Sequence, residues 1–579
     1  MEAYQEAWKR WMDSSAVSEE EKEQLRAMEH DDALMRERFS AYLSFGTAGL
    51  RGIMSPGTNA MNVHTVRHAT QGLAAFILGQ DTDGTLAGRG VVIACDSRNH
   101  STEFAQAAAC VLAGNGIRVY LFDALRPTPE LSFAVRELHC IAGINITASH
   151  NPAAYNGYKA YWEDGAQLAP EQADAVSACI AATDLFNGIR TVSYDAAVAD
   201  KKIELLGQDF DERYMAAVIS QQVNPQTVLQ AADSLCVVYT PLHGAGCRIT
   251  PEVLRRIGVK KLYTVPEQMK PDGNFPTAPN PNPEFPAVFE PGLRLADEVG
   301  ADLIIANDPD ADRTGAMIRG KDGKYTILTG NQIGALLVDY IICDLEERNA
   351  VPPHPYVVKS IVSSELVTRI CEAHHVKIHN VLTGFKYIGE VIKNYEKQGY
   401  GDFIFGYEES YGFLKGTYCR DKDAVVASML LTEMAAYYKL RHIDLRDALD
   451  RLYERYGCFR EATDSITMEG LDGSAKMARL MDSLRAAPPA SLGGEKIREI
   501  RDYQLRTVRE LDTGKQTDTG LPPSNVLYFT TTTGNVIVLR PSGTEPKLKI
   551  YYLLRGESWE GIDHTLSACR ADIQTLVKQ

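Results

Sequence analysis

The chain has 579 residues, 45% of them apolar and 23% charged, and a formal net charge of −16. That length exceeds what one hydrophobic core supports and predicts three to four domains. The acidic balance, with no Lys/Arg block, excludes a nucleic-acid partner, so an anionic ligand has to meet a local positive cleft.

Met1-Glu2-Ala3-Tyr4-Gln5-Glu6 carries charge without the apolar core of a leader, and no run is long enough to span a bilayer. Both features predict a soluble, cytoplasmic protein with no membrane partner. The eleven cysteines include no C-x-x-C pair and are odd in number, which fits reduced thiols. Ser18-Glu19-Glu20-Glu21 reads as a capping box opening an extra N-terminal helix, a solvated face or packing element without chemistry. Val91-Val92-Ile93-Ala94 leads through Asp96-Ser97-Arg98 into an Ala-rich helix near 104–113 and a strand at Val119-Tyr120-Leu121-Phe122, one β-loop-α-β element.

Ile144-Asn145-Ile146 is short and β-rich, and Pro152 stops regular structure, so Thr147-Ala148-Ser149-His150-Asn151-Pro152 places Ser149 as an exposed hydroxyl on a loop after a strand. Serine is a poor nucleophile without a base or a metal, and His150 with the Asn151 amide supplies polarity but no complete triad. By itself the run is also an ordinary Asx-type turn.

A second β-loop-α-β element runs from Cys236-Val237-Val238-Tyr239 through Pro241-Leu242-His243-Gly244 to a helix near 251–257 and a strand at Leu262-Tyr263-Thr264-Val265; the Pro/Asn-rich stretch 266–286 is a loop. The apolar run Leu303-Ile304-Ile305-Ala306 then ends in Asn307-Asp308-Pro309-Asp310-Ala311-Asp312-Arg313. In extended chain the three aspartates face one side, and carboxylates so crowded repel unless a cation sits among them; hard oxygen ligands suit Mg²⁺. Calcium lacks its twelve-residue loop here, and a solvated acidic turn would need no buried strand before it.

Tyr356-Val357-Val358-Lys359, a helix near 365–374 and Val381-Leu382 form the third such element. In Phe405-Gly406-Tyr407-Glu408-Glu409-Ser410-Tyr411-Gly412, carboxylates and a hydroxyl flanked by glycines suit sugar hydroxyls. After about residue 450, strands at Val526–Thr530, Val536–Leu539 and Leu548–Tyr552 and a helix from about Trp559 predict an antiparallel α+β domain. Its Arg540-Pro541-Ser542-Gly543-Thr544-Glu545-Pro546-Lys547 is a donor-rich loop of the type that grips phosphate. Either polar loop alone is also an ordinary hairpin turn.

In this order, the serine, aspartate, Glu-Glu-Ser and C-terminal loops resemble the α-D-phosphohexomutases, in particular the long bacterial phosphoglucomutase type of the phosphopentomutase-like branch. The resemblance runs from about Phe45 to about Tyr551 and takes in Phe45-Gly46-Thr47-Ala48-Gly49-Leu50-Arg51-Gly52, Tyr155-Asn156-Gly157-Tyr158-Lys159, Pro271-Asp272-Gly273-Asn274-Phe275-Pro276 and Leu382-Thr383-Gly384-Phe385-Lys386. It implies an α/β protein of four domains around a central cleft. Three are similar mixed α/β-sheet domains: 1–205 with an N-terminal helical extension and the phosphoserine loop, 206–320 with the metal loop, and 321–449 with the sugar loop. The fourth, 450–579, is the antiparallel α+β domain with the phosphate loop.

The resemblance further implies that Ser149 is the phosphoserine, with His150, Arg51, Lys159 and Lys422 as its catalytic neighbours. Its phosphate, Asp308, Asp310 and Asp312 would ligate one Mg²⁺. Arg313, Thr383, Gly384, Lys386, Glu408, Ser410 and Arg420 would bind the sugar phosphate, and Arg540, Ser542, Gly543, Thr544 and Lys547 the distal phosphate. The implied reaction interconverts α-D-glucose 1-phosphate and glucose 6-phosphate through glucose 1,6-bisphosphate, also the activator. Lys422 would take the hydroxyl proton, its pKa lowered by a crowd of cations. Phosphopentomutase or phosphomannomutase activity on the same mechanism, or a metal-dependent sugar phosphatase, are the alternatives, and the chain is expected to be a monomer or weak dimer. Pro309 and Ala311 replace the glycine spacers of the family's metal loop, which predicts a stiffer backbone. Tyr407 stands where a glycine usually precedes the Glu-Glu-Ser run.

Overall fold

The computed structural model describes residues 2–46, 49–468, 473–541 and 547–578. They gather into two compact units, one of Met1–Leu328, Gly389–Phe405 and Ser410–Asp444, the other of Thr329–Ile388, Gly406–Glu409 and Leu445–Gln579.

The first unit opens with helices Ala3–Asp13, Glu19–Ala27 and Asp32–Phe39. Ser18 and Glu21 cap the second of them reciprocally. The single extra helix expected here is a three-helix element with its own core, in which Tyr4, Trp11, Leu25, Met35 and Phe39 pack with Leu185. The capped helix Glu19–Ala27 packs through Leu25 alone and leaves most of its surface to solvent.

Strands β1 (Leu50–Ile53), β2 (Val91–Cys95), β3 (Val119–Phe122), β4 (Ala142–Ile146), β5 (Tyr155–Trp162) and β6 (Ile203–Leu206) form a sheet in the order β1-β5-β4-β2-β3-β6. β4, β2, β3 and β6 run parallel, whereas β5 returns antiparallel along β4 and β1 along β5. β2 and β4 are buried at every position, as parallel strands covered on both faces must be. Helices Val63–Gln80 and Ser101–Gly114 bring Ala69, Leu73, Ala105, Ala108 and Leu112 to that core.

The second sheet repeats the plan. β7 (Cys236–Thr240), β8 (Lys261–Thr264), β9 (Leu303–Asn307), β10 (Thr314–Arg319) and β11 (Tyr325–Ile327) lie in the order β11-β10-β9-β7-β8, with β10 antiparallel to both β9 and β11 and β7 parallel to β8 and β9. The β4–β5 and β9–β10 hairpins hold equivalent places in the two sheets. The serine loop connects the first and the aspartate loop the second. The helix expected to begin at Pro251 begins at Gly246 and contains that proline. A Cβ at Gly246 would lie 2.5 Å from the Tyr239 hydroxyl, so only glycine lets the first turn close onto β7. Asp423 caps helix Ala424–Leu440 by accepting from the N–H groups of Val425 and Val426, which fixes the backbone beside Lys422.

In the second unit β12 (Pro355–Ser360) pairs parallel with β13 (Lys377–Val381). Along the chain follow β14 (Asp402–Glu408), which begins in the first unit, and β15 (Gly412–Leu414), also of the first unit, joined by 409–411 in the chain position that the serine and aspartate loops hold in the earlier repeats. β16 (Cys458–Thr467), β17 (Ser491–Leu492), β18 (Glu495–Asp502), β19 (Thr507–Glu510), β20 (Gln516–Asp518), β21 (Leu527–Thr531), β22 (Val536–Pro541) and β23 (Lys547–Gly556) build the C-terminal antiparallel sheet, order β16-β23-β22-β21-β18-β19-β20 with β17 beside β18. Both faces of its centre are buried because the side chains alternate. Leu527, Phe529, Ile537, Leu539 and Ile550 enter one core with Ile562 of helix Trp559–Lys578, and Tyr528, Val538, Tyr551 and Leu553 enter another with Ile361 and Leu382. The chain thus carries mixed α/β sheets followed by an antiparallel α+β region. Among the described residues, no helix is long and apolar enough to cross a membrane.

Candidate active site

Ser149 lies just past β4, in the left-handed region at φ 52°. It is buried, 3% exposed, rather than the exposed hydroxyl expected. The serine loop is built inward by polar partners: Ser149 N–H donates to Thr147 Oγ1 at 2.8 Å, and Thr147 Oγ1 donates to Asp96 Oδ2 at 2.6 Å. Arg98, buried and paired with Asp96, spreads its guanidinium over the carbonyls of Ser149, Asn151, Pro152 and Tyr155. A planar five-donor group can serve four carbonyls at once. Gly157 on β5 lets the loop pass closely, since a Cβ there would lie 2.4 Å from Thr147 O.

The aspartate loop is a turn, not the extended run from which one-sidedness was expected. Ala311 sits buried at φ 52°, its N–H donates to Asp308 O at 2.9 Å, and its carbonyl accepts from Ala424 N–H at 3.1 Å. Asp308 Oδ1 accepts the N–H groups of Asp312 and Arg313 at 3.1 and 2.9 Å. The turn, and not a pleat, brings oxygens of Asp308, Asp310 and Asp312 within 4.8 Å of one another. Ser149 Oγ donates to Asp308 Oδ2 at 3.0 Å and lies 3.2 Å from His150 Nδ1. The two hairpin loops therefore meet at this hydroxyl.

Lys159, from β5, neutralises part of the cluster, with Nζ 2.6 Å from Asp310 Oδ2 and 3.1 Å from Asp312 Oδ2. Burial disfavours its charge, but the two aspartates outweigh burial and hold its pKa above the ordinary value. Burial also pushes Asp312 up, and Lys159, Lys422 and Arg313 together reverse that and hold it well below the carboxylate range. Asp308 goes the other way: burial, then Asp310 and Asp312, raise it well above that range. His150 is kept neutral at pH 7 by burial and by the Arg313 and Arg51 charges.

The donor set fits a hard divalent cation. Asp310 Oδ1 and Asp312 Oδ1 are buried without a hydrogen-bond partner, and they stand with Asp308 and the Ser149 hydroxyl in an all-oxygen cluster.

Arg51 Nη1 donates to Asn151 Oδ1 at 3.2 Å, beside the serine loop, and Arg313 Nη1 pairs with Glu284 at 3.1 Å. Lys422 reaches the cluster, with Nζ 2.8 Å from Asp421 Oδ1 and 3.2 Å from Asp312 Oδ2. Lys159 shares Asp312 Oδ2 with it, so carboxylates and a second cation both stand beside Lys422. Arg420 departs from its expected sugar contact. Its buried guanidinium pairs with Glu396 and donates to the carbonyls of Thr417 and Cys419, while its N–H donates to Ser132 Oγ. Ser410 is half-buried.

In the second unit, Gly384 N–H donates to Glu408 Oε1 at 2.6 Å, so two expected sugar-loop residues are neighbours, and Thr383 Oγ1 is buried beside them in the chain without a hydrogen-bond partner. Lys386 Nζ lies over the Tyr387 ring at 5.1 Å. Tyr407 points into the core against Gly334, so it does not shape a sugar pocket. Arg540 Nη1 lies 3.4 Å from the Tyr551 hydroxyl, and Lys547 opens β23. Ser542, Gly543 and Thr544 lie outside the described residues.

Two residues that hold the site had no role assigned from sequence. Arg98 was visible only as part of Asp96-Ser97-Arg98, and Thr128 not at all. Thr128 Oγ1 accepts from Asn145 Nδ2 and donates to Asp310 Oδ2, both at 2.7 Å, and its N–H donates to Asp310 O at 2.8 Å.

Residues 42–186, 212–321 and 329–456 match the phosphoglucomutase/phosphomannomutase α/β/α domains I, II and III. A phosphoglucomutase of Staphylococcus aureus is 38% identical over 540 residues, 93% of this chain and 94% of that one. Two solved structures share the fold. One is the Paramecium phosphoprotein pp63/parafusin, a phosphoglucomutase in its open form, with TM-score 0.66 and 17% identity over 94% of this chain and 95% of the other. The second is a phosphoglucomutase/phosphomannomutase family protein of Burkholderia thailandensis, with TM-score 0.64 and 18% identity over 92% and 97%.

Proposed function

Because the chain belongs to the phosphoglucomutase/phosphomannomutase family, we propose that it interconverts α-D-glucose 1-phosphate and glucose 6-phosphate through phosphorylated Ser149. The observation that carries this reading is the Ser149 hydroxyl 3.0 Å from Asp308, inside a buried aspartate cluster with two oxygens that accept no hydrogen bond among the described residues. The segments 1–205, 206–320, 321–449 and 450–579 each contribute one loop to the reaction.

Ser149 Oγ carries the phosphoryl group. Its P–O bond breaks as a bond to the free hydroxyl of the sugar monophosphate forms, giving glucose 1,6-bisphosphate, and the second phosphate returns to Ser149 after the sugar reorients. Phosphoryl transfer asks mainly for positioning and charge stabilisation. Lys159 and Lys422 set the charge of the aspartate cluster, while Arg51 and Arg313 supply positive charge near the serine. The sugar hydroxyl loses its proton as it is phosphorylated, and Ser149 Oγ regains one when its phosphate leaves. Neutral His150, 3.2 Å from Oγ, is placed to exchange that proton. Asp308, Asp310, Asp312 and the Ser149 phosphate would hold Mg²⁺, which when bound offsets charge on the transferring phosphoryl group. Glu408 and Ser410 grip sugar hydroxyls, and Arg540 and Lys547 the distal phosphate. A reducing, cytoplasmic setting fits the free cysteines.

A coupled assay of the purified protein on glucose, mannose, ribose and glucosamine 1-phosphates tests the reading. Glucose 1-phosphate should turn over fastest, with glucose 1,6-bisphosphate abolishing any lag. A faster mannose or pentose phosphate would overturn the sugar, and release of inorganic phosphate alone would overturn the mutase.

A further inference from the structure

A second group of metal-ligand side chains lies in the other unit, apart from the serine and aspartate loops. Asp339 and Cys343 are four residues apart on helix Gly330–Glu347 and so share a face, and His374 is the C-cap of helix Glu365–Ala373. A carboxylate oxygen of Asp339, Cys343 Sγ and a ring nitrogen of His374 all lie within 4.8 Å of one another. Three atoms so spaced fit within a circle of radius at most about 2.8 Å. An ion near its centre reaches the usual zinc distances of about 2.0–2.3 Å once each ligand moves by less than about 1 Å.

The ring of His374 is already held as a ligating histidine is held. Its Nδ1 lies 2.8 Å from Glu346 Oε1, and Nε2 lies 3.2 Å from the Tyr456 hydroxyl. A carboxylate on Nδ1–H fixes the tautomer and leaves the Nε2 lone pair for an acceptor role, which Tyr456 now fills. Asp339 is buried and Cys343 half-buried, so the group is sheltered yet reachable. Burial, then Asp339 and Glu346, push the Cys343 thiol up to about 12 against the pull of Arg455, so the thiol ligates only when a cation displaces its proton. Mg²⁺ and Ca²⁺ prefer all-oxygen sites, whereas thiolate, imidazole and carboxylate together select a borderline-soft ion.

We propose that Asp339, Cys343 and His374 form a binding site for a borderline-soft divalent cation, best matched by Zn²⁺, with one coordination position left for water. Bound there, the ion would tie helix Gly330–Glu347 to the end of helix Glu365–Ala373.

The test is a Co²⁺ titration of the full-length, metal-stripped protein under reducing conditions, reading the thiolate-to-cobalt charge-transfer absorption, followed by Zn²⁺ competition against a chromogenic chelator. One Co²⁺ per chain should give the thiolate band. Cys343→Ser should abolish it, His374→Gln should weaken Zn²⁺ binding at least about 100-fold, and Glu346→Gln about 10- to 100-fold. Asp310→Asn, which alters the other cluster, should leave the band in place. Absence of the band, its full persistence in Cys343→Ser, or wild-type affinity in His374→Gln would each overturn the proposal and leave an ordinary hydrogen-bonded helix end. Should Cys343→Ser fail to fold, His374→Gln and Glu346→Gln decide the question by affinity alone.

Discussion

Replacing Arg98 by lysine keeps the positive charge beneath the serine loop and removes the fork. Arg98 donates to the carbonyls of Ser149, Asn151, Pro152 and Tyr155 while pairing with Asp96. A lysine ammonium has three donors on one atom, and one of them goes to Asp96, so about two loop carbonyls lose their partner. Each buried carbonyl left unpaired costs about 1–3 kcal/mol. Partial relaxation of the loop leaves about 2–4 kcal/mol, which corresponds to a factor of about 30–700 when it falls on the transition state. The cost should appear in kcat, because Ser149 is displaced, and less in KM, because no sugar contact is altered. Steady-state assays in both directions would be run beside thermal unfolding of the same preparation. Wild-type kcat together with a wild-type unfolding midpoint in Arg98→Lys would refute the clamp.

Lys159→Met leaves Asp310 and Asp312 buried without their shared cation, a loss of about 3–5 kcal/mol; its unfolding midpoint should fall in EDTA, recover largely on adding Mg²⁺, and show turnover reduced at least about 100-fold. Gly157→Ala puts a Cβ 2.4 Å from Thr147 O and 2.8 Å from Leu50 O, both backbone atoms, so the serine loop must shift; kcat should fall about 100-fold with unchanged circular dichroism. Glu21 is held at about 2 because its bonds to His64 and Ser18 outweigh the upward push of burial. A depressed carboxylate stabilises the fold above its unfolded pKa of about 4.3 and loses that contribution as pH falls through the folded value. The midpoint difference between wild type and Glu21→Gln should therefore be full above about pH 5, shrink below it and vanish near pH 2, and a difference that stays constant down to pH 2 would contradict the pairing.

The strands were legible because a buried parallel strand needs an unbroken apolar run, and Val91–Cys95 and Leu303–Asn307 are such runs. The reactive loops were legible as chemistry because Ser149 follows the buried strand Ala142–Ile146 and the three aspartates follow Leu303–Asn307, polar groups at the ends of apolar runs. How the loops close was not legible. Local spacing predicted that Asp308, Asp310 and Asp312 would face one side of an extended chain, whereas a turn with Ala311 at positive φ brings them together. Ser149 was expected to be exposed, and it is buried in a loop held by Arg98, which donates to its carbonyl, and by Asp96, which accepts from Thr147, both brought there by the pairing of β2 and β4. Thr128 and Asp310 are 182 positions apart, a contact that no periodicity can carry. Arg420 was expected from the resemblance alone to bind the sugar phosphate, but its guanidinium pairs with Glu396. Lys422 was expected among cations; Lys159 is one, and Asp421 and Asp312, which spacing could not place, lie beside it as well.

The central claim is that Ser149 carries the phosphoryl group, and peptide mass spectrometry of the enzyme during a single turnover tests it most directly. Protein charged with glucose 1,6-bisphosphate should hold phosphate on Ser149 alone, and adding glucose 6-phosphate should discharge it into one equivalent of bisphosphate at a rate no slower than kcat. Phosphate on a different residue, discharge only to water, or full turnover by Ser149→Ala would contradict the account.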